Sequence, residues 1–139
     1  TIDLIVRGIC CLRPGISEVS DRIRVVSIIG RFLEHSRAFY FLNGGAEEVY
    51  IGSADWMPRN LDRRIEAVFP VTDPTHRQTI RELLNLMWRD NRQAWELDAE
   101  GRYRQRHPPS PDAELATHRM LVESYRESGR VTGEYQVVR

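Results

Sequence analysis

The chain has no lysine. All 20 basic residues are arginine, they balance 20 acidic residues, and the formal net charge is zero. A balanced total gives no electrostatic argument for nucleic acid or an anionic membrane as a partner. It does fix the kind of cation available: every positive contact is a guanidinium, permanently charged and shaped to grip phosphate or carboxylate through two hydrogen bonds. Cysteine is scarce, with only the adjacent pair Cys10 and Cys11. Neighbouring cysteines rarely bridge, and two are too few for a disulfide framework or a zinc site. Both are expected to be small core hydrophobes in a reducing cytoplasm. The histidines (His35, His76, His107, His118) are scattered, without metal-ligand spacing. No apolar run approaches the ~20 residues needed to cross a bilayer, and no stretch has the pattern of a signal peptide. Repeats and low-complexity segments are also absent.

What is present suits one domain, 1–139, of ordinary globular composition: 41% of the 139 residues are hydrophobic and 29% charged. The chain begins at Thr1 rather than Met, and "IDLIV" already reads as a buried strand, so a fragment of something longer is expected. Ile2–Val6 and "RVVSIIG" (24–30) are β-branched runs of the buried-strand type. "ISEVSDRI" between them has room for one helical turn. Ala38–Leu42 and Glu48–Gly52 flank "NGGA", a hairpin signal, and "RIEAVFPV" (64–71) reads as a further strand. Asp73-Pro74 supplies a cap and a first-turn proline for a helix whose apolar face is Ile80, Leu83, Leu84 and Met87. "QAWELD" and "RYRQR" predict a second hairpin. Ser110-Pro111 can cap a last helix reaching about Ser128, and 129–139 reads as a loose tail. The pattern predicts an α/β domain, a mixed sheet flanked by helices.

Three polar clusters fall at strand ends, where α/β folds place their sites. Arg7 directly follows the first strand and precedes Gly8. His35 and Arg37 stand at the mouth of the third strand, with Glu34 pointing the other way. "GSADWMPRNLDRRIE" (52–66) holds Ser53, Asp55, Arg59, Asn60, Asp62, Arg63 and Arg64. An arginine gives phosphate a charge-assisted bidentate bond. A histidine near neutral pH can carry a proton or bind an anion. A Gly-Ser turn and an amide supply further donors to an oxyanion. Each residue alone reads equally well as a structural group: an ion pair for Arg7, a backbone-bonded core histidine for His35, internal pairs of Asp62 with Arg63 or Arg64. Trp56 and Met57 are expected to plug the core beneath the loop. Together, with no carboxylate cage and no thiol nucleophile, the three clusters imply a phosphate site.

"RGICCLRPG", "GRFLEHSR" and "SADWMPRNLDRRIE" resemble, in this order and near this spacing, the C-terminal catalytic domain of the long, histidine-phosphorylated class of polyphosphate kinase. The likeness runs from about Ile5 to "RDNRQAWELDAEGRY" and fades through the last helix. That family reversibly moves the terminal phosphate of ATP onto polyphosphate. Its last two domains have a fold similar to phospholipase D and share one active site. The resemblance therefore implies a partial phospholipase D-like domain, a half-site whose phosphorylated histidine lies upstream of Thr1. It implies that Arg7 grips phosphate and that His35 is the catalytic histidine of this half. Arg37, Ser53 and Asn60 would be further phosphate-binding positions, supported by Asp55, Asp62 and Arg63. His35-Ser36-Arg37 replaces the His-x-Lys of phospholipase D-type sites and Leu42 stands near their Asp, so phospholipase or nuclease chemistry is not expected. ATP/ADP and polyphosphate are the implied substrates, and Mg2+ is implied for the full enzyme with ligands outside this piece. Other domains of the same chain, a homo-oligomer, and a cytoplasmic location peripheral to the inner membrane are implied as well. Nucleic acid is not an expected partner. The alternative is a non-catalytic phospholipase D-like module that binds polyphosphate or other polyanions, or serves as an assembly surface.

Overall fold

Runs of β-branched and aromatic residues mark most of the strands, and two carboxylates, Asp73 and Asp90, meet the first turns of the two long helices. The computed structural model describes residues 1–128; the expected tail at 129–139 lies outside the described residues. In chain order the elements are β1 (Ile2–Val6), β2 (Ile23–Ile28), β3 (Ala38–Phe41), β4 (Glu48–Gly52), α1 (Pro58–Leu61), β5 (Val68–Pro70), α2 (Pro74–Arg89), β6 (Ala94–Leu97), β7 (Tyr103–Gln105) and α3 (Thr117–Glu127). They divide into two units. One comprises Thr1–Leu33 and the residues from Met87 onward; the other is Glu34–Leu86.

The first unit is built on a mixed sheet of order β1-β2-β6-β7, with β1 parallel to β2 and the other pairs antiparallel. Val25, Val26 and Ile28 of β2, Ala94 and Leu97 of β6, and Met87 and Ala116 form its buried apolar core. The fully buried strand expected at Ile2–Val6 is instead an edge strand. Among the described residues it pairs only with β2, and Ile2 and Asp3 are exposed. Asp3 faces Arg24 across that pair and takes a bidentate ion pair from it, both bonds at 2.6 Å. Of the two cysteines, Cys10 is half-buried and Cys11 is exposed, which corrects the expectation that both fill a core. They lie on the irregular segment between β1 and β2, outside the strands whose faces build the core.

The second unit is an antiparallel sheet of order β3-β4-β5. The "NGGA" hairpin forms as read, its tight turn carried by Gly44 and Gly45 at φ of 64° and 102°. α2 begins where Asp73-Pro74 predicts, the Asp73 carboxylate accepting the N–H groups of Thr75 (2.8 Å) and His76 (3.1 Å). The strand expected over 64–71 shortens to Val68–Pro70, because Glu66 turns its side chain to other partners.

The last helix departs from the sequence reading. Ser110-Pro111 opens only a short 3-10 turn at Pro111–Ala113, and α3 starts at Thr117. Its N-cap residue, Ala116, offers no side-chain acceptor. The acceptor comes from 27 residues upstream. Asp90, fully buried just beyond α2, accepts the Thr117 N–H at 2.7 Å through one oxygen. Through the other it accepts the N–H groups of Arg92, Gln93 and Ala94 at 2.8, 2.6 and 3.1 Å. Burial pushes this carboxyl upward, but the N–H bonds from Thr117, Gln93 and Arg92 outweigh it and hold Asp90 below the ordinary aspartate range. A negative charge at a helix N-terminus is favourable in its own right.

Replacing Asp90 by Ala leaves buried N–H groups without an acceptor and should destabilise the fold by about 3 kcal/mol in urea denaturation. Because the folded value is depressed, the contribution of Asp90 is complete above the unfolded aspartate pKa of about 4 and fades as pH falls through the folded value. Urea midpoints recorded against pH should show that acid limb in the native chain. In Asp90→Asn the corresponding part should be missing; an unchanged limb would assign the acid sensitivity to other carboxylates.

Candidate functional site

Strand register assembles most of the predicted residues. β3 and β4 pair with Ala38 opposite Ile51, so their ends place Arg37 beside Gly52, whose N–H donates to the Arg37 carbonyl at 2.9 Å. β4 and β5 pair with Gly52 opposite Val68, so the next step places Ser53 beside Ala67, with Ser53 N–H to Ala67 O at 3.0 Å. Arg37, Ser53 and Glu66 thus come from one end of the same sheet. α1 follows within a few residues, its proline at the first turn, and buries Asn60 at 3% exposure.

Glu66 organises this end. It accepts the Ser53 hydroxyl on one oxygen and the Asn60 amide N–H on the other, the latter at 3.0 Å. Ser53 Oγ in turn accepts the Ala67 N–H at 3.1 Å. The Ser53 hydrogen bond is the largest influence holding Glu66 below the ordinary glutamate range; the Asn60 bond and the charges of Arg64 and Arg37 add to it against the opposing effect of burial. Glu66 is not among the candidates that the sequence alone brings forward. The signal available was a lone carboxylate closing an arginine-rich run, 13 residues after Ser53 and six after Asn60.

Arg37 is held from two sides. Its Nε donates to Asp55 Oδ1 at 3.0 Å, and Nη1 donates to the His35 carbonyl at 2.8 Å. The Asp55 hydrogen bond and charge raise the guanidinium further above its already high range, and Glu66 contributes in the same direction. Arg37 therefore holds the backbone of His35. Both residues precede β3, which begins at Ala38, so their relation is this loop contact and not a shared strand face. His35 itself is exposed, which removes the reading as a core histidine inside a strand. Asp62 and Arg63 are exposed just after α1, Asp62 closing that helix through its N–H to the Pro58 carbonyl at 2.8 Å.

Trp56 and Met57 do not plug a core. They are 74% and 46% exposed, and the Trp56 ring stacks on Phe39 with centroids 5.5 Å apart. Arg7 belongs to the first unit, half-buried at the end of β1. The chain turns behind it at Gly8, whose φ of +87° suits glycine and whose carbonyl accepts the Ser27 hydroxyl at 2.6 Å. The other predicted residues belong to the second unit.

The donor set at this sheet end does not suit magnesium, which needs several oxygen ligands free to coordinate it. Among the described residues no group of three or more His, Cys, Asp or Glu side chains could hold a metal ion. The carboxylates at the sheet end are committed, Asp55 to Arg37 and Glu66 to Ser53 and Asn60, and Asp62 stands exposed just after α1. These residues do not fit a divalent cation, and no chemistry is routed through one.

The family model described as polyphosphate kinase C-terminal domain 2 matches residues 1–117. Among curated proteins, the polyphosphate kinase of Thermosynechococcus vestitus is 63% identical over 121 residues, which are 87% of this chain and 16% of that protein. That of Synechocystis is 65% identical over 111 residues, 80% of this chain and 15% of the relative. Among solved structures, the crystal structure of polyphosphate kinase from Porphyromonas gingivalis superposes with a TM-score of 0.79 at 43% identity, covering 95% of this chain and 20% of that one. The chain therefore spans less than a fifth of the length of the two curated relatives compared here.

Ser53→Ala removes the strongest influence on Glu66. Its titration, followed by carboxyl carbon NMR, should move upward toward the ordinary glutamate range; an unmoved midpoint would show that Asn60 and the arginines suffice.

Proposed function

The chain belongs to the polyphosphate kinase family, and from that premise we propose that it supplies the C-terminal half of an active site. The reaction is reversible transfer of the terminal phosphate of ATP to polyphosphate through a phosphohistidine on a preceding domain. Phosphoryl transfer spreads charge over the transferred oxygens, so catalysis is largely positioning and electrostatic stabilisation. In this reading Arg7 clamps a substrate phosphate through its guanidinium. His35, protonated, stabilises the charge developing on the attacking or leaving oxygen. Arg37 fixes the backbone of His35 and presents positive charge to phosphate.

Ser53 and Asn60 serve the phosphate-binding end mainly by fixing Glu66, with Asp55 performing the same service for Arg37; Asp62 and Arg63 support the loop. The observation that carries this reading is the family match over residues 1–117, joined to a sheet end whose carboxylates are engaged with its own donors. Polyphosphate, ATP and ADP are the substrates in this proposal. Mg2+ ligands, the phosphorylated histidine and the oligomer contacts belong to other parts of a full-length kinase. A phospholipase D-like fold and a cytoplasmic location peripheral to the inner membrane complete it.

The test is ATP-dependent polyphosphate synthesis by the full-length polypeptide. His35→Ala should lower the rate on the order of a hundredfold or more with ATP binding retained. Near-normal activity would remove His35 from the chemical step. Arg7→Ala should cost roughly 2–4 kcal/mol of transition-state stabilisation, and activity surviving within about tenfold would refute the clamp. Residues 1–139 alone should make no polyphosphate; synthesis by them would overturn the half-site.

A further inference from the structure

The two cysteines remain without a role. They stand on the segment that leaves Arg7, a stretch from β1 to β2 containing no strand or helix. Three anchors hold that segment. The Gly8 carbonyl accepts the Ser27 hydroxyl, the Cys10 N–H donates to the Tyr103 hydroxyl at 2.7 Å, and the Arg13 guanidinium donates to the Ala99 carbonyl at 2.6 and 2.8 Å. The cysteine pair therefore lies between fixed points, with Cys11 exposed and Cys10 half-buried beside it. The exposure of Cys11 leaves its sulfur open to a small oxidant, with the second thiol on the next residue.

We propose that Cys10 and Cys11 are a reversible oxidation site, joined by peroxide into a vicinal disulfide that displaces the segment behind Arg7. The Cys11 sulfur, the exposed one, attacks one peroxide oxygen. The O–O bond breaks, giving the sulfenic acid and one water once the departing oxygen is protonated. The Cys10 sulfur then attacks the Cys11 sulfur. The S–S bond forms, the S–O bond breaks, and the hydroxyl leaves with the Cys10 proton as a second water. Two thiols have lost two electrons and two protons, and the peroxide has gained them.

Neighbouring Cα atoms stand about 3.8 Å apart, short of the roughly 4.4–6.8 Å that a relaxed disulfide spans. Ring closure therefore requires the Cys10–Cys11 peptide to turn. The Cys10 N–H to Tyr103 bond is the anchor on that peptide's own residue and the one given up. The strain makes the bond easily reduced, which suits a switch and not a staple. The displaced stretch begins three residues from Arg7, so oxidation lowers whatever work Arg7 does. That last step rests on the proposed function; the disulfide does not.

The experiment treats the full-length polypeptide with hydrogen peroxide, blocks remaining thiols with N-ethylmaleimide, and maps the peptide carrying both cysteines by mass. Polyphosphate synthesis is recorded in parallel. The expected result is a peptide lighter by two hydrogen atoms, restored by dithiothreitol. Synthesis should be lost and regained with it, while Cys10→Ser/Cys11→Ser keeps its activity in peroxide. A peptide blocked at both thiols, one carried on to sulfinic acid, or a disulfide between copies would overturn the proposal. So would equal peroxide inactivation of the double variant. If the reduced protein makes no polyphosphate, the kinase reading fails while the mass map still decides the disulfide.

Discussion

The first unit depends on the carboxylate of Asp90. It is fully buried, yet its acceptors are met by N–H groups from two separate segments, the turn at Arg92–Ala94 and the start of α3. A buried charge costs several kcal/mol unless such bonds surround it. Here they fix three things at once: the end of α2, the entry into β6, and the first turn of a helix with no cap of its own. The β2–β6 ladder, and with it the core of Val25, Val26 and Ala94, depends on where that turn delivers the chain.

Glu66 plays the matching part in the second unit, and the comparison is instructive. Both are acceptors brought to donors by the backbone, and both sit below the usual carboxylate range. Asp90 serves backbone N–H groups and so builds structure. Glu66 serves Ser53 and Asn60, side chains on the edge of the cluster that includes Arg37 and Asp55. Holding those side chains fixed is what an electrostatic site requires, because donors that need not reorganise stabilise charge more effectively than mobile ones.

Much of this was legible in the chain. The strands at Ile2–Val6, Ala38–Phe41 and Glu48–Gly52 and the start of α2 follow from β-branched or aromatic runs and local turn or cap chemistry, which act within a few residues. What escaped was set by distant partners. Ser110-Pro111 has the local form of a helix start, but Asp90 moved that start to Thr117. Trp56 and Met57 have the composition of core residues, but burial depends on the surroundings, and they are exposed. At the site, Arg7, His35, Arg37, Ser53, Asp55 and Asn60 stood out as polar groups at strand ends. Glu66 did not, because only the register of three strands shows that it faces Ser53. Gly30 tells the same story: a Cβ there would crowd the side chains of Gln93 and His118, distant in sequence, and no local pattern records it.

The placement of the tryptophans has an optical consequence. Trp56 is the one indole of the second unit, stacked on Phe39 yet open to water. Trp88 and Trp95 belong to the first unit and are half-buried, with the guanidinium groups of Arg24 and Arg106 lying 4.7 and 5.6 Å from the Trp88 ring centre. A collisional quencher such as iodide reaches the exposed indole first, leaving emission dominated by the other pair. The chain thus carries its own separate fluorescent reporters for the unit that bears His35 and the unit that bears Arg7, with no label attached.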